Sequence, residues 1–498
     1  MKSRTWMWTT VVYLFAALAM QVGMAAQGNP SQEHKHKHHQ YRLIILGTFG
    51  GPQSYLTAGS VLTPSGTAMG WADTPLTDPY FPNCFNPDCF VSHTFSWQEG
   101  VMTDLGALPG NNSSSPNWMA KNRLIAGTSE NGMIDPLTGF PEIRATLWKE
   151  GGIIDLGTLG GNESFANSVN NRGQVVGPAA NSIADQFSPF WFGWGTQTRA
   201  FLWRKGAMQD LGTLGGPDAF ALVVNEGGQI AGFSYTNSIP NGTTGQPTLD
   251  TFFWERGKMV DIGTLGGTIT LPNMLNNRGQ IVGQSNLAGD VTFHPFLWDK
   301  GALTDLGTLG GDTGTTNTIN DAGEVIGKAD LPGSQTHHGF LWKEGMMTDL
   351  GTVGTDACSN AWNMNLKEQV VGNSSDCVTP LHGFLWENGG PMVDVNTLIS
   401  PPSDFLVNNA LAINDRGEIA GVGVFRTGEG HAYVLIPDGD CDDDCEGRIA
   451  ASQNTAAPEQ YSATMKQRNE TPISPAERLR SMMRQHYRIP GRPAAQRD

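Results

Sequence analysis

Histidines recur at one position of a repeated segment and are the first candidates for chemistry in this sequence. They stand two residues before a Phe or Tyr in five places, at His93, His294, His338, His382 and His431. Imidazoles that converge can hold a transition metal. On neighbouring sheets of a repeat built from short strands, equivalent histidines would stand roughly 10 Å apart, given strands about 4.8 Å apart. Metal–ligand bonds are about 2 Å long, so we expect hydrogen bonding here and no metal site.

Known catalytic signatures are missing from the sequence. It holds no nucleophile elbow, His-Glu-x-x-His segment, phosphate-binding loop or Rossmann fingerprint. We therefore predict a protein without catalytic residues and without a cofactor. Carboxylate pairs assembled from different repeats remain an open alternative, since a fold can carry such a site without a local motif.

Aromatic residues in four insertions are the second group of candidates. The insertions run over about residues 73–92, 129–144, 178–199 and 235–250, and they also contain Phe85 and Phe90. Exposed aromatic side chains on loops above a rigid scaffold are typical of recognition sites. We predict a wall along one half of one face, binding a glycan or a protein through Tyr80, Phe81, Phe140, Phe187, Phe190, Trp191, Phe192 and Trp194. In the alternative, these side chains pack on one another and cover one end of the scaffold.

The elements that position these residues follow from a repeated heptapeptide, Asp-Leu-Gly-Thr-Leu-Gly-Gly. It is intact at 155–161, 210–216 and 305–311, with variants at 104–110, 261–267, 349–355 and 394–400, and an eighth copy from Leu46 to Gly51. A Trp stands seven residues before most of these Asp positions, and we expect it to pack between sheets. The Asp is expected to accept backbone N–H groups at a turn.

A second motif, Asn-x-x-Gly-x-φ-φ-Gly, in which φ is apolar, follows each Gly-Gly. It is clear at 170–177, 225–232, 276–283, 320–327 and 414–421, and looser at 63–70, 122–127 and 365–372. We expect the Asn and the Gly to supply positive φ at a hairpin turn. Four short strands per repeat predict an all-β propeller of about eight four-stranded blades. Residues 42–51 would complete the blade of residues 401–437 and close the ring; an open solenoid is the alternative.

These pieces together resemble the HAF-repeat family of extracellular repeat proteins, over about residues 41–437. The family's His-Ala-Phe reads His431-Ala432-Tyr433 here. The resemblance implies export and a repeat architecture, and it implies no catalytic activity. Arg144, Arg199 and Asp250 stand where three repeats would carry the His, which argues against an essential role for that histidine.

Export is predicted from the N-terminus. Lys2 and Arg4 precede an apolar stretch, and Gly23-Met24-Ala25 offers a signal peptidase site, so residues 1–25 are read as a signal peptide; an uncleaved anchor is the alternative. The six cysteines form three local pairs, Cys84 with Cys89, Cys358 with Cys377 and Cys441 with Cys445, which suits disulfides in an oxidising compartment. We expect a secreted, extracellular or periplasmic protein.

The flanking segments complete the predicted organisation. Residues 26–40 form a His-rich linker, with loose metal binding as the alternative to a solvated spacer, and residues 438–474 an acidic and polar linker. Residues 475–489 are predicted to form a basic amphipathic helix, followed by a disordered tail at 490–498. The net charge of −16 excludes nucleic acid as a partner. Membrane contact is expected only through an uncleaved signal or the basic helix, and the protein is expected to be a monomer.

The function predicted from these observations is that of an exported, non-catalytic binding or structural propeller. Its ligand, a glycan or a protein, would bind the insertions of blades 1–4. The alternative is an extracellular lyase or hydrolase of polysaccharides that uses the same face. Polar, acidic and basic residues converging under the insertions would favour the enzyme, and an apolar aromatic surface would favour the binding protein.

Overall fold

The computed structural model describes residues 38–438 except Ala58 and residues 189–191. The predicted signal peptide, residues 33–37 of the His-rich tract, Cys441, Cys445 and the predicted helix at 475–489 therefore lie outside the described residues. Within them, the chain from His39 onward belongs to one compact unit. No described helix has the length and hydropathy needed to cross a membrane.

The described residues are almost entirely β-strand, and we number the repeats 1 to 8 by their Asn-x-x-Gly segments. Strand β1 (Tyr41–Ile45) precedes the first repeat. Repeat 1 contains β2 (Ser54–Tyr55), β3 (Ala68–Thr77), β4 (Phe90–Gln98) and β5 (Val101–Gly106). Repeat 2 contains β6 (Ser114–Met119), β7 (Ile125–Ile134), β8 (Pro141–Lys149) and β9 (Gly152–Asp155). Repeat 3 contains β10 (Ser168–Val169), β11 (Val175–Ala184), β12 (Thr196–Arg204) and β13 (Ala207–Asp210).

The later repeats follow the same order of four strands. Repeat 4 contains β14 (Ala219–Val224), β15 (Ile230–Tyr235), β16 (Leu249–Glu255) and β17 (Lys258–Asp261). Repeat 5 contains β18 (Gly266–Leu275), β19 (Ile281–Leu287), β20 (Phe293–Asp299) and β21 (Ala302–Asp305). Repeat 6 contains β22 (Gly314–Ile319), β23 (Val325–Asp330), β24 (His337–Lys343) and β25 (Met346–Asp349). Repeat 7 contains β26 (Cys358–Met364), β27 (Val370–Ser375), β28 (Pro380–Trp386) and β29 (Val393–Asp394), followed by a 3-10 helix at Val395–Leu398. Repeat 8 contains β30 (Leu406–Ile413), β31 (Ile419–Val424) and β32 (Gly430–Pro437).

Each repeat is an antiparallel meander, as the strand pattern predicts. The described strands form six sheets of four strands and one sheet of eight, in which repeats 4 and 5 are joined by the single parallel pair Leu249 and Ile269. The sheets therefore number seven, not the eight separate ones that the repeat count predicts. Strand β1 pairs antiparallel with β32, from Tyr41 opposite Pro437 to Ile45 opposite Tyr433. The first strand of the described chain thus completes the last sheet.

The Asn of the second motif links neighbouring repeats. Oδ1 of Asn170 accepts from the amides of Arg172 and Gln174, and its Nδ2 donates both to the Gln174 side chain and to the carbonyl of Asn225 in the next repeat. The same inter-repeat bond runs from Asn225 to Asn276, Asn276 to Asn320, Asn365 to Asn414, and Asn414 to Thr63 in repeat 1. The expectation that this Asn supplies positive φ is wrong: the fourth turn residue does so, as at Gly173 (φ 69°).

Two glycine positions are fixed by close approach of the backbone. A Cβ on Gly177, the last residue of the second motif, would lie 1.9 Å from the carbonyl oxygen of Phe165 on the innermost segment. A Cβ on Gly161, the last residue of the heptapeptide, would lie 2.6 Å from the Asn181 carbonyl oxygen. Only glycine fits such approaches without displacing backbone.

The repeated Trp and Asp take the structural roles expected of them. Trp97, Trp148, Trp254, Trp298 and Trp386 are buried, and Trp203 and Trp342 are half-buried. Asp155 Oδ1 accepts the amide of Gly157 at 2.8 Å, and Asp305 Oδ1 accepts that of Gly307 at 2.8 Å. The heptapeptide is therefore a turn that joins the outer strand of one repeat to the inner strand of the next.

The insertions are partly strand, although the sequence predicted loops. Strand pairing in the first insertion extends to Thr77 opposite Phe90, and in the third to Ala184 opposite Thr196. Disulfides join Cys84 to Cys89 within the first insertion and Cys358 to Cys377 in repeat 7, as predicted.

Candidate ligand-binding site

Three motif histidines, His93, His294 and His338, are held by aspartates of the neighbouring strand, whereas His382 lies 2.8 Å from Asp356, which precedes β26. Nδ1 of His93 lies 3.0 Å from Asp104 Oδ2, and the same arrangement joins His294 to Asp305 at 2.9 Å. Burial alone would raise the pKa of Asp104, but the hydrogen bonds from His93 and from the Gly106 amide outweigh it and lower that pKa. These histidines therefore brace a strand end, which is the hydrogen-bonding role expected for them.

Arg199 performs the same task in repeat 3, whereas Arg144 of repeat 2 pairs with Glu142 of its own strand. Arg199 Nε lies 3.0 Å from Asp210 Oδ2. Repeat 8 has Ile45 opposite Tyr433, where other repeats have the Asp, and Nδ1 of His431 has no hydrogen-bond partner. Within the described ranges, no group of three or more His, Cys, Asp or Glu side chains is arranged to hold a metal ion.

Half of the predicted contact residues that the structure describes are buried. Phe187, Phe192 and Trp194 are buried, with Trp194 only 1% exposed, and Tyr80 and Phe140 are half-buried. Phe81 is 77% exposed, while Phe190 and Trp191 lie outside the described residues. Phe85 is buried and Phe90 half-buried. The third insertion thus places aromatic rings inside the molecule, where the sequence predicted an exposed wall.

The buried rings form one cluster with repeat 4. The ring centroids of Phe192 and Trp194 are 4.8 Å apart, and those of Phe192 and Phe220 are 5.5 Å apart. Phe187 meets Tyr235 edge-on at 5.7 Å. These ring contacts agree with the alternative reading of the sequence, in which the insertion side chains pack on one another and cover the scaffold.

A cavity of about 600 Å³ lies among the innermost segments of all eight repeats, and we call it the central cavity. One representative lining residue from each repeat, in chain order, is Ser60, Trp118, Phe165, Phe220, Met274, Thr318, Trp362 and Leu411. Phe192 of the third insertion also lines it, and none of its lining side chains is charged. Asn117 Nδ2 donates to the Ala166 carbonyl at 2.8 Å. The described lining of the central cavity offers aromatic, aliphatic and carboxamide groups.

A second cavity, of about 270 Å³, lies between the second and third insertions, and we call it the insertion pocket. Its lining consists of Asp135, Pro136, Leu137, Gly160, Gly161, Asn162, Glu163, Ala180, Asn181, Ser182, Trp194 and Thr196. Asp135 is fixed by bonds from the Leu137 amide, the Thr138 hydroxyl and the Asn162 carboxamide. Nε1 of Trp194 is buried and has no hydrogen-bond partner. Trp194, one of the predicted contact residues, therefore lines the insertion pocket with a side chain that is itself buried.

Buried carboxyl groups lie in pairs at the insertions, a feature that the sequence analysis missed. Burial, followed by the charge of Asp88, raises the pKa of Asp73 to about 8. Burial, followed by the charge of Asp185, raises the pKa of Asp218 to about 8. Burial also raises the pKa of Glu130 to about 8. The only sequence signal was the presence of acidic residues inside the insertions, and sequence spacing does not reveal which of them meet.

Charge is unequally divided between the two edges of the sheets. The insertions and the heptapeptide turns join strands at the same end of each sheet, which we call the insertion edge. The Asn-x-x-Gly turns lie at the opposite end of each sheet, which we call the turn edge. The described acidic residues at the turn edge are Glu99, Glu150, Glu226, Glu255, Asp299, Asp321, Glu324, Glu344, Glu368, Glu387, Asp415, Glu418 and Asp438. All other described Asp and Glu residues lie at the insertion edge, where the described basic residues are Arg144, Arg199, Lys328 and Arg426. The insertion edge is therefore strongly acidic.

Comparison with known proteins gives a likeness in solved structures alone. No family model and no curated protein sequence matches the chain. TolB from Acinetobacter baumannii is similar over 61% of this chain and 62% of its own, at 14% identity and a TM-score of 0.32. Dipeptidyl peptidase 4 of Porphyromonas gingivalis is similar over 67% of this chain and 53% of its own, at 9% identity and a TM-score of 0.42. YCF48 bound to D1 peptide is similar over 81% of this chain and 96% of its own, at 9% identity and a TM-score of 0.35. The chain thus spans less than two thirds of the first two proteins, and scores this low assign neither ligand nor activity.

Proposed function

We propose that the protein is an exported, non-catalytic binding protein that holds a neutral glycan at the insertion edge of a closed, eight-bladed propeller. One observation carries the proposal: both cavities described above are lined in part by the third insertion, through Phe192 and Trp194. The repeated residues are occupied in joining repeats to one another. Beside residues of the repeats, the third insertion thus supplies groups to each of the two cavities.

The chemistry of the central cavity, together with the charge of this edge, favours a neutral ligand. The central cavity has no charged lining side chain, and an anionic polymer would be repelled by the acidic insertion edge. Aromatic rings and carboxamides together suit sugar rings, whose CH faces are apolar and whose hydroxyl groups both donate and accept hydrogen bonds. This argues against a lyase, since polysaccharide lyases act on uronic acid polymers.

Eight blades and ring closure are part of the proposal. They are supported by the pairing of β1 with β32 and by the Asn414 bond to Thr63, which brings repeat 8 against repeat 1. Export is supported by the two disulfides.

A polysaccharide hydrolase is the second candidate, and the paired carboxyl groups favour it. A carboxyl with a raised pKa beside a carboxylate, as in Asp218 with Asp185, is the arrangement that general acid catalysis uses. Asp218 is fully buried and its Oδ1 accepts the Thr198 amide at 2.7 Å, which points to a structural role.

A glycan array probed with the mature protein tests the proposal. We expect binding to neutral glycans, no binding to uronate polymers, and no release of reducing sugar from any bound glycan. Binding of proteins alone, or binding of no glycan, would overturn the glycan assignment. Turnover that is lost in Asp218→Asn and retained in the exposed control Asp404→Asn would establish the hydrolase.

A further inference from the structure

The second strands of repeats 1–3 project beyond the buried part of their sheets. The last three residues of β3, β7 and β11 are exposed, although the residues before them are buried or half-buried. These ends carry the exposed apolar side chains of Leu76, Met133, Ile134 and Ile183. Seven of the fifteen exposed large apolar side chains among the described residues lie in the four insertions. Apolar surface gathered in this way is typical of an interaction site.

The three strand ends belong to consecutive repeats, and we call their apolar side chains, Leu76, Met133, Ile134 and Ile183, the apolar row. Ser113 joins the first two insertions, since its hydroxyl accepts the Ser92 amide at 3.2 Å and its own amide donates to Glu130 at 2.8 Å. The second and third insertions meet around the insertion pocket, which Leu137 and Ser182 both line. Packed sheets lie about 10 Å apart, so the row extends over roughly 20 Å.

The charge beside the apolar row is negative. Exposed carboxylates of Asp104, Asp155 and Asp210 stand on the outer strands of the same three repeats. The basic residues described at this edge of those repeats, Arg144 and Arg199, are already paired with carboxylates. A second copy of this face would bring like charges together. The row therefore suits an occupant that is apolar on one side and basic elsewhere.

Residues 475–489 of this chain have that character. The segment lies outside the described residues, and its sequence predicts a basic amphipathic helix. It has one acid, Glu477, and four basic residues, Arg478, Arg480, Arg484 and Arg488. Its large apolar residues at helical spacing are Leu479, Met482, Met483 and Tyr487. A helix of this length extends about 22 Å, which matches the length of the apolar row.

The position of Asp438 allows the segment to reach the apolar row. Asp438 lies at the turn edge of repeat 8, which contacts repeat 1 through the bond from Asn414 to Thr63. Strand β7 runs from the turn edge to the insertion edge over about 30 Å. Residues 439–474 reach more than about 100 Å when extended. The covalent connection also raises the local concentration of the segment above that of a free partner.

We infer that residues 475–489 dock on the apolar row as a helix, with their apolar side against Met133, Ile134 and Ile183 and their arginines toward the carboxylates of the insertion edge. The inference does not rest on the proposed glycan binding, because it concerns the exposed strand ends and not the cavities.

Hydrogen exchange of the segment in the mature, full-length chain tests the inference. Isolated helices of this length are marginal in water, so slow exchange of residues 475–489 reports docking. Met133→Lys with Ile183→Lys removes two apolar contacts and repels the arginines. Leu366→Lys with Met346→Lys, the matched control, makes the same change at exposed positions away from the insertion edge. Arg480→Glu with Arg484→Glu changes the segment and no described residue. Exchange is followed by mass spectrometry at two protein concentrations, with and without vesicles of anionic lipid.

We expect the amides of the segment to exchange at least about tenfold more slowly than those of an unstructured chain, at both concentrations and without vesicles. The Met133, Ile183 variant and the Arg480, Arg484 variant should both exchange at the unstructured rate, whereas the control should match the unchanged chain.

Fast exchange in the unchanged chain would overturn the inference, as would protection that requires vesicles or grows with protein concentration. Protection retained in either docking variant, or lost equally in the control, would also overturn it. If the amides of β7 and β11 lose their protection in the Met133, Ile183 variant, the Arg480, Arg484 variant alone decides.

Discussion

The asparagine that begins each Asn-x-x-Gly turn does more at the residue scale than shape a turn. Its carboxamide closes its own turn and reaches the backbone of the next repeat, as Asn225 does with the Asn276 carbonyl at 2.9 Å. The motif is recognisable in the sequence because one Asn side chain forms hydrogen bonds with the backbone of its own turn and with the backbone of the next repeat. Repeat 2 has Ala120 at the corresponding position, with the same turn bonds to Arg123 and Leu124, which explains why its motif looked loose.

Glycine at the end of the second motif gives the first prediction. Replacing Gly177 with Ala should lower the free energy of unfolding by about 1–3 kcal/mol, the usual cost of overpacking, because the added Cβ meets the Phe165 carbonyl oxygen. Gly47→Ala is the control, since a Cβ there meets nothing within 4 Å. Urea denaturation measures both. Equal stability of the two variants would mean that the close approach relaxes at little cost.

At the scale of elements, the two described disulfides close segments of different length. The first is closed by the Cys84–Cys89 disulfide, across a sequence separation of 5, whereas Cys358–Cys377 spans 19. Chain-entropy arguments give a larger stabilisation for the longer loop, by about 1 kcal/mol. We expect the Cys358→Ser, Cys377→Ser pair to lower the unfolding free energy more than the Cys84→Ser, Cys89→Ser pair. Denaturant titration under identical conditions measures the difference; the reverse order would refute the prediction.

Strand β1 is the element that completes the sheet of repeat 8. A chain beginning at Gly47 lacks β1 and leaves the edge of β32 unpaired, whereas a chain beginning at His38 keeps it. Because an unpaired edge promotes association, we expect the shorter chain to aggregate and the longer one to stay monomeric in light scattering. A monomeric, cooperatively melting shorter chain would show that the β1 pairing is dispensable.

At the scale of the whole molecule, the acidic insertion edge governs the dependence of stability on pH. The carboxyl groups of Asp73, Glu130 and Asp218 have pKa values raised to about 8, and that of Asp250 is raised to about 7 by burial and by Asp261. A group whose pKa is higher in the folded state binds protons more tightly there. Its stabilisation is complete below its ordinary pKa of about 4 and is lost as pH rises toward 8.

We therefore expect the protein to melt at least about 2 °C lower at pH 8 than at pH 5. Asp218→Asn should reduce this difference, because it removes one group that must lose its proton. Asp404→Asn, a change at a highly exposed carboxylate, should leave the difference unchanged. The pKa of Asp104 is lowered in the folded protein, so this group acts in the opposite direction. The stability that it contributes is lost only as the pH falls below its ordinary pKa. A melting temperature that rises from pH 5 to pH 8 would refute the prediction.

The sequence by itself determined the strands, their grouping in fours and the turn roles of Asp and Gly. These features depend on contacts within one repeat, which recur and can be recognised from a single chain. It also indicated that β1 completes the last sheet, because the first and last repeats are incomplete in complementary ways. Only the tertiary structure decided that Trp194 points inward, that Asp218 meets Asp185, and that repeats 4 and 5 share one sheet. Those contacts join segments that do not repeat, so their partners are set by packing across the fold and not by spacing along the chain.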